Sequence, residues 1–146
     1  MDTLSTTWKE RPNSQGFLDF TINGGSLASI LGSEARDLVG CLGWCRPEAD
    51  ARFRDELLGL SAPDLPNNRV MLYVCPQCAD IGCGAITAVV ERAGGELIWS
   101  NFAHHNDVSP VTDPDIGYCT EFPHVGPFRF SFKQCSELLR HVAAEP

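Results

Sequence analysis

From Ala93 to Phe128 the chain contains not one lysine or arginine, while Glu96, Asp107, Asp113, Asp115 and Glu121 all fall in that stretch. The whole chain carries a net charge of −8. A surface of one sign repels phosphates and attracts cationic partners, raising their encounter rate at low salt. Nucleic acid is therefore not an expected partner, and a basic protein is. The same acidic segment also serves plain solubility.

Other absences narrow the field. No run of about 18 apolar residues occurs, so no membrane-spanning helix is expected. The stretch Met1 to Glu10 lacks the apolar centre of a secretory signal, which points to a cytoplasmic protein. Gly24-Gly25 has neither the lysine nor the spacing of a phosphate-binding loop. Asp113-Pro114-Asp115 lacks the further oxygen ligands and the glycine of a calcium loop. The seven cysteines are an odd number in a chain without a visible signal, so they read as thiols or ligands and not as a disulfide framework.

What is present suits one domain. A chain of 146 residues buries roughly two thirds of its unfolded surface and needs no metal or disulfide to make up a core. Residues 1–15 are polar, with Pro12, Asn13 and Ser14, and read as a loose N-terminal arm before a single domain over 16–146. Phe17 to Ile22 alternates as a strand and ends at the turn signal Asn23-Gly24-Gly25. Ser26 is placed to cap a short helix over Leu27 to Leu31 closed by Gly32. Leu38 to Trp44 is a weaker strand.

Pro47 opens a helix to about Leu60, with Glu48 and Asp50 at the positive end of its dipole. Its apolar face is Ala49, Phe53, Leu57 and Leu60. A β-meander follows: Arg69 to Val74, Ala85 to Glu91 and Glu96 to Phe102, the last two joined by Ala93-Gly94-Gly95. In the third strand Leu97, Trp99 and Asn101 alternate with Ile98, Ser100 and Phe102. Residues 104 to 127 form a long polar segment with four prolines, a length that is usually functional or disordered. Ser131 and Gln134 make a capping box for a final helix over about 132–144, its apolar stripe Phe132, Cys135, Leu138, Leu139 and Val142. The expected fold is α+β: an antiparallel sheet with two main helices, about 47–60 and 132–144, packed on one face.

Three thiols, Cys75, Cys78 and Cys83, crowd into nine residues between the first two meander strands. Zinc takes four soft or borderline ligands, and C-x-x-C lets two thiolates converge from one turn. Cys75, Cys78 and Cys83 with His104 are the candidate metal ligands, with His105, Cys119 and His124 as other sources of the fourth. A structural zinc site would contribute about 10–16 kcal/mol, comparable with a domain's whole stability of about 5–15 kcal/mol. A redox reading rests on Cys75-Pro76-Gln77-Cys78 after an apolar strand, as in thioredoxin-like sites. There a following helix lowers the first thiol's pKa. Here Gly82, Gly84 and the β-branched Ile86, Thr87, Val89 and Val90 continue as a strand, so that activator is missing. A third reading is a tight loop of inert thiols packed as small hydrophobes. His104-His105-Asn106-Asp107 combines imidazoles and a carboxylate, yet no Cys–His hydrolase signature surrounds any cysteine, so no catalytic residue is assigned.

The run Arg69 through Thr87, with its C-x-x-C-x-D-[IL]-G-C-G-A-[IV]-T core, resembles a family of small uncharacterised bacterial proteins. Ile98-Trp99-Ser100-Asn101-Phe102 and Gly126-Pro127-Phe128-Arg129-Phe130 are similar to its later landmarks, so the likeness covers about residues 65 to 140. The chain departs from the pattern at Ala79, where the family has glycine. Members are often labelled oxidoreductases, though no nucleotide fingerprint stands here. The resemblance implies a bacterial cytosolic protein and transfers no catalytic residue.

The residues point to a non-enzymatic binding protein, in its most concrete form an immunity-type inhibitor whose acidic face docks a basic toxin domain. Asp107, Asp113, Asp115 and Glu121 are the expected partner-binding residues. The alternatives are a thiol-based redox protein or a zinc-stapled structural module built on the cysteine cluster.

Overall fold

In the computed structural model, which describes residues 1–11, 14–32, 38–43, 47–63, 65, 67–76, 84–105, 111–113 and 117–141, with backbone alone at 14, 15, 47, 111–113 and 117–119, the meander forms the centre of a seven-stranded sheet. Its strands are β5 (Arg69–Val74), β6 (Ala85–Ala93) and β7 (Glu96–His105), each antiparallel to the next. Gly94 and Gly95 both take positive φ in the β6–β7 turn, the mirror-image turn whose twist matches two hairpin strands. Outside β5 lies the two-residue β4 (Val39–Gly40). Of the described residues read as a strand over 38–44, Val39 and Gly40 form the ladder with β5, and Cys41 N donates to Leu72 O at 3.0 Å just beyond it.

The N-terminal arm is not loose. Leu4–Arg11 is β1, antiparallel to β2 (Ser14–Ile22), and β3 (Gly25–Ser26) completes a three-stranded sheet. Its outer end is tied down twice: Asp2 N donates to Arg129 O and Arg129 N donates to Asp2 Oδ2, both at 2.8 Å. Asn23 Nδ2 also donates to Asp2 Oδ1, and these donors hold the Asp2 carboxyl below its ordinary range, the Asn23 bond first. The two sheets meet where β4 crosses β2. A Cβ on Gly40 would stand 2.1 Å from the Leu18 carbonyl oxygen, so only glycine permits this approach.

Among the described residues three helices pack with both sheets into one core. α1 (Leu27–Leu31) begins at Ser26, whose side chain accepts from Ser29 N, and ends at Gly32 with φ 66°. α2 (Pro47–Leu57) buries Phe53 and Leu57; Leu58 is buried just past its end, while Leu60, expected on that face, is exposed. The chain leaves the helix at Leu58 and Gly59, which turns Leu60 outward. α3 (Phe132–Arg140) buries Cys135 and Leu139 and starts at Ser131, whose hydroxyl accepts from Gln134 N at 3.3 Å. Val142 and Trp44 lie outside the described residues. Trp99 anchors the centre: edge-on to Phe20 at 5.5 Å and to Phe130 at 5.3 Å, it donates to Leu57 O at 3.2 Å. No described helix is long and apolar enough to cross a membrane.

A buried polar node joins the sheets. Asp19, fully buried on β2, accepts from Tyr73 Oη at 2.6 Å, Ser26 Oγ at 2.6 Å and Ala28 N at 3.3 Å. Ser26 Oγ in turn accepts from Lys9 Nζ at 3.0 Å. Burial and the adjacent Asp19 carboxylate raise the Tyr73 hydroxyl well above its ordinary pKa. With no route to solvent, Tyr73 is a rivet and not an acid–base group.

The strict alternation expected along β7 fails at Asn101. The β6–β7 register slips between Thr87 and Val89, and Asn101 takes φ 51°. This one-residue bulge turns Asn101 to solvent and rotates Phe102 onto the face of Trp99, where it meets Phe128 edge-on at 5.7 Å. The outer edge of β7 is thereby divided: β10 (Phe128–Ser131) pairs with 96–99 and β9 (Gly117–Glu121) with 103–105. The long segment read as a loop over 104–127 instead carries a hairpin, β8 (Val111–Asp113) against β9.

Candidate functional site

The register gathers the sequence's chemistry at one end of the large sheet. Val74 pairs with Ala85, Ala85 with His105, His105 with Cys119 and Cys119 with Val111. Cys75 follows Val74 at this end, and Gly84 precedes Ala85. A Cβ on Gly84 would lie 4.0 Å from His104 Nε2, so the buried His104 ring stands beside Gly84. Of the four candidate metal ligands, Cys75 and His104 thus share the sheet end, while Cys78 and Cys83 lie outside the described residues. Among the described residues no three His, Cys, Asp or Glu form a metal-holding group.

Two other thiols sit in the core. Cys41 is fully buried and its pKa is driven up by loss of solvation, while burial pushes Cys135 up to about 11. Burial thus disfavours in both the thiolate, the form that acts as nucleophile or ligand.

The outer face of the sheet carries a buried polar layer that the sequence reading missed. Arg69 Nη1 donates to Thr87 Oγ1 at 3.1 Å and to Asn101 O at 2.7 Å. Thr87 Oγ1 also meets His105 Nε2 at 2.8 Å. The three side chains stand on β5, β6 and β7 and are 6%, 0% and 2% exposed, so this is a packed network and not an open basic patch. Its signal in the sequence was a single arginine opening an apolar strand, too slight to separate from a surface charge.

The acidic edge is the site's other half. In the order β4-β5-β6-β7-β9-β8, β8 is the outermost of the described strands, so the lysine- and arginine-free segment supplies the last two of them on that side. Asp113 closes β8 opposite Gly117, and Glu121 ends β9 opposite Ala103. They therefore stand at opposite ends of β9, roughly 13 Å apart at about 3.3 Å per residue. Glu121 is exposed, and no cation lies within ion-pair distance of it among the described residues. Glu96, the remaining acid of the segment, is neutralised by Arg129 Nη1 at 3.0 Å. Asp107 and Asp115 lie outside the described residues.

Beside Glu121 the divided edge of β7 opens a pocket of about 320 Å³. Asn101 and Phe102 form one wall, Glu121 and Phe122 another, and Gly126 and Pro127 the third. No protein-family model, no curated protein and no solved structure matches the chain.

Proposed function

We propose that the protein is a non-enzymatic binding protein that holds a basic protein partner on the β9–β8 edge of its large sheet, in the manner of an immunity-type inhibitor. One observation carries this reading: the stretch without lysine or arginine supplies the edge hairpin β8–β9 of the sheet, whose described backbone carries Asp113 and Glu121. An outermost strand also offers unpaired backbone groups for a partner to meet. Such a surface gives fast, salt-sensitive encounter with a cationic partner. Affinity capture from the source cell at low salt tests it. A basic protein released by moderate salt, and lost when Asp107, Asp113 and Asp115 become asparagine, is the expected result. Capture unaffected by those three substitutions contradicts it.

A second reading, a zinc-stapled or thiol-active module, draws support from the register, which ends β5 just before Cys75 and starts β6 just after Gly84, the neighbour of the His104 ring. A native mass spectrum with and without chelator, and a thiol titration for a reversible Cys75–Cys78 disulfide, separate the two forms of it.

A further inference from the structure

We infer that the pocket between Asn101 and Pro127 is a receptor for one arginine side chain of the basic partner, an inference that rests on the edge-docking reading above. Its walls have the three features a guanidinium requires. Glu121 supplies a carboxylate with no cation near it among the described residues. Phe122, half-buried at the cavity wall, supplies an aromatic ring, on which a planar guanidinium stacks with less desolvation cost than an ammonium. Pro123 and Pro127 also line the cavity, and neither has an N–H. Neither proline can therefore compete as a donor with a ligand group that only donates.

Size and backbone agree with this occupant. A volume of about 320 Å³ is at the small end for ligand pockets, enough for a side chain that enters from the edge. Two residues in the left-handed region, Asn101 with φ 51° and Gly126 with φ 78°, both line it. The Gly126 backbone lies against the Phe102 ring, where a Cβ would stand 3.1 Å from Cε2. Unusual backbone held in place around one cavity is a feature of ligand clamps. The cavity also lies beside the end of β9, so a chain lying along the acidic edge passes its mouth.

The test titrates Nα-acetyl-arginine amide into the full-length protein by NMR, with the citrulline analogue as a neutral isostere. Saturable shifts at Ser100–Phe102 and Glu121–Pro127, absent with citrulline, are expected. E121Q should weaken binding about tenfold, the scale of one lost charge-assisted contact, and F122L should weaken it while leaving the melting temperature near that of the parent. Equal binding of citrulline, or no loss in E121Q, overturns the pocket. Partner capture that survives E121Q but is lost in the Asp107, Asp113 and Asp115 variant also overturns it and leaves the edge reading standing. Saturable arginine binding by a chain that captures no basic protein supports the pocket and sinks the edge reading instead.

Discussion

The Tyr73 hydroxyl donates to Asp19 Oδ1 at 2.6 Å, across 54 residues of sequence and between two different sheets. That carboxylate also holds Ser26 Oγ and Ala28 N, so one buried group fixes the start of α1, strand β2 and strand β5 together. Removing the Tyr73 hydroxyl leaves two of its bonds in place. Y73F should therefore cost about 1–3 kcal/mol, the range for a buried charged acceptor losing one donor. Asp19→Ala orphans three donors and should cost about 3–5 kcal/mol. Urea midpoints at unchanged slope measure both. A double mutant no worse than Asp19→Ala alone would show that the two act as one unit.

Gly40→Ala should be among the most damaging single substitutions in the protein. Its Cβ would meet a backbone oxygen at 2.1 Å, and backbone cannot rotate away as a side chain can. The β2–β4 crossing must open, at a cost of about 3 kcal/mol or more. By contrast, Asn101→Gly should be neutral or slightly stabilising, because the bulge holds φ at 51°. Asn101→Val should cost about 1–2 kcal/mol. Thermal melts of the three variants check the order.

Stability should fall on the alkaline side. Tyr73, Cys41 and Cys135 all have folded-state pKa values raised by burial, Cys135 to about 11. Each raised acid adds stability that is complete below its unfolded pKa, about 8.5 for cysteine and about 10 for tyrosine. As pH climbs past those values the unfolded chain releases protons first, and the contribution drains away until the folded pKa is reached. Asp2 acts in the opposite direction: its depressed pKa supports the fold above the ordinary carboxylate range and is lost as acid protonates it. Urea midpoints between pH 7 and about 10.5 should decline, and Y73F should flatten the upper part of that decline.

The meander and its covering helices were legible because they are written locally. Glycine pairs mark the turn at Gly94 and Gly95, and Ser131 and Gln134 mark the start of α3. β1 was not legible, since Ser5, Thr6, Thr7 and Lys9 lack an apolar alternation; they become a strand through β2, whose Phe17, Leu18 and Phe20 supply the core. The Asn101 bulge was hidden because Leu97, Ile98, Trp99 and Phe102 put apolar residues on both alternating faces, so no residue there marks where the alternation breaks. The β8–β9 hairpin was hidden by its prolines and by strands of three and five residues. Of the site, the acidic segment and the thiols were visible as composition. The Arg69–Thr87–His105 layer and the pocket beside Glu121 come from strand register, which no local motif encodes.

If Cys75 and His104 belong to a zinc site, chelation should lower the melting temperature sharply, because metal binding would supply about 10–16 kcal/mol of folding free energy. If the thiols are inert, chelator should leave the melt unchanged. A melt followed by tryptophan fluorescence, with and without chelator, distinguishes these outcomes.

The most direct test of the central claim is a titration of a fluorescent oligo-arginine peptide into the full chain at low and at physiological salt. One variant carries asparagine at Asp107, Asp113 and Asp115, and another carries glutamine at Glu10, Glu48 and Glu137, three acids removed elsewhere. Edge docking predicts binding that weakens steeply with salt, falls at least about tenfold in the first variant and stays near the parent in the second. Equal losses in the two variants would mean that bulk charge alone attracts the peptide, and would contradict the account.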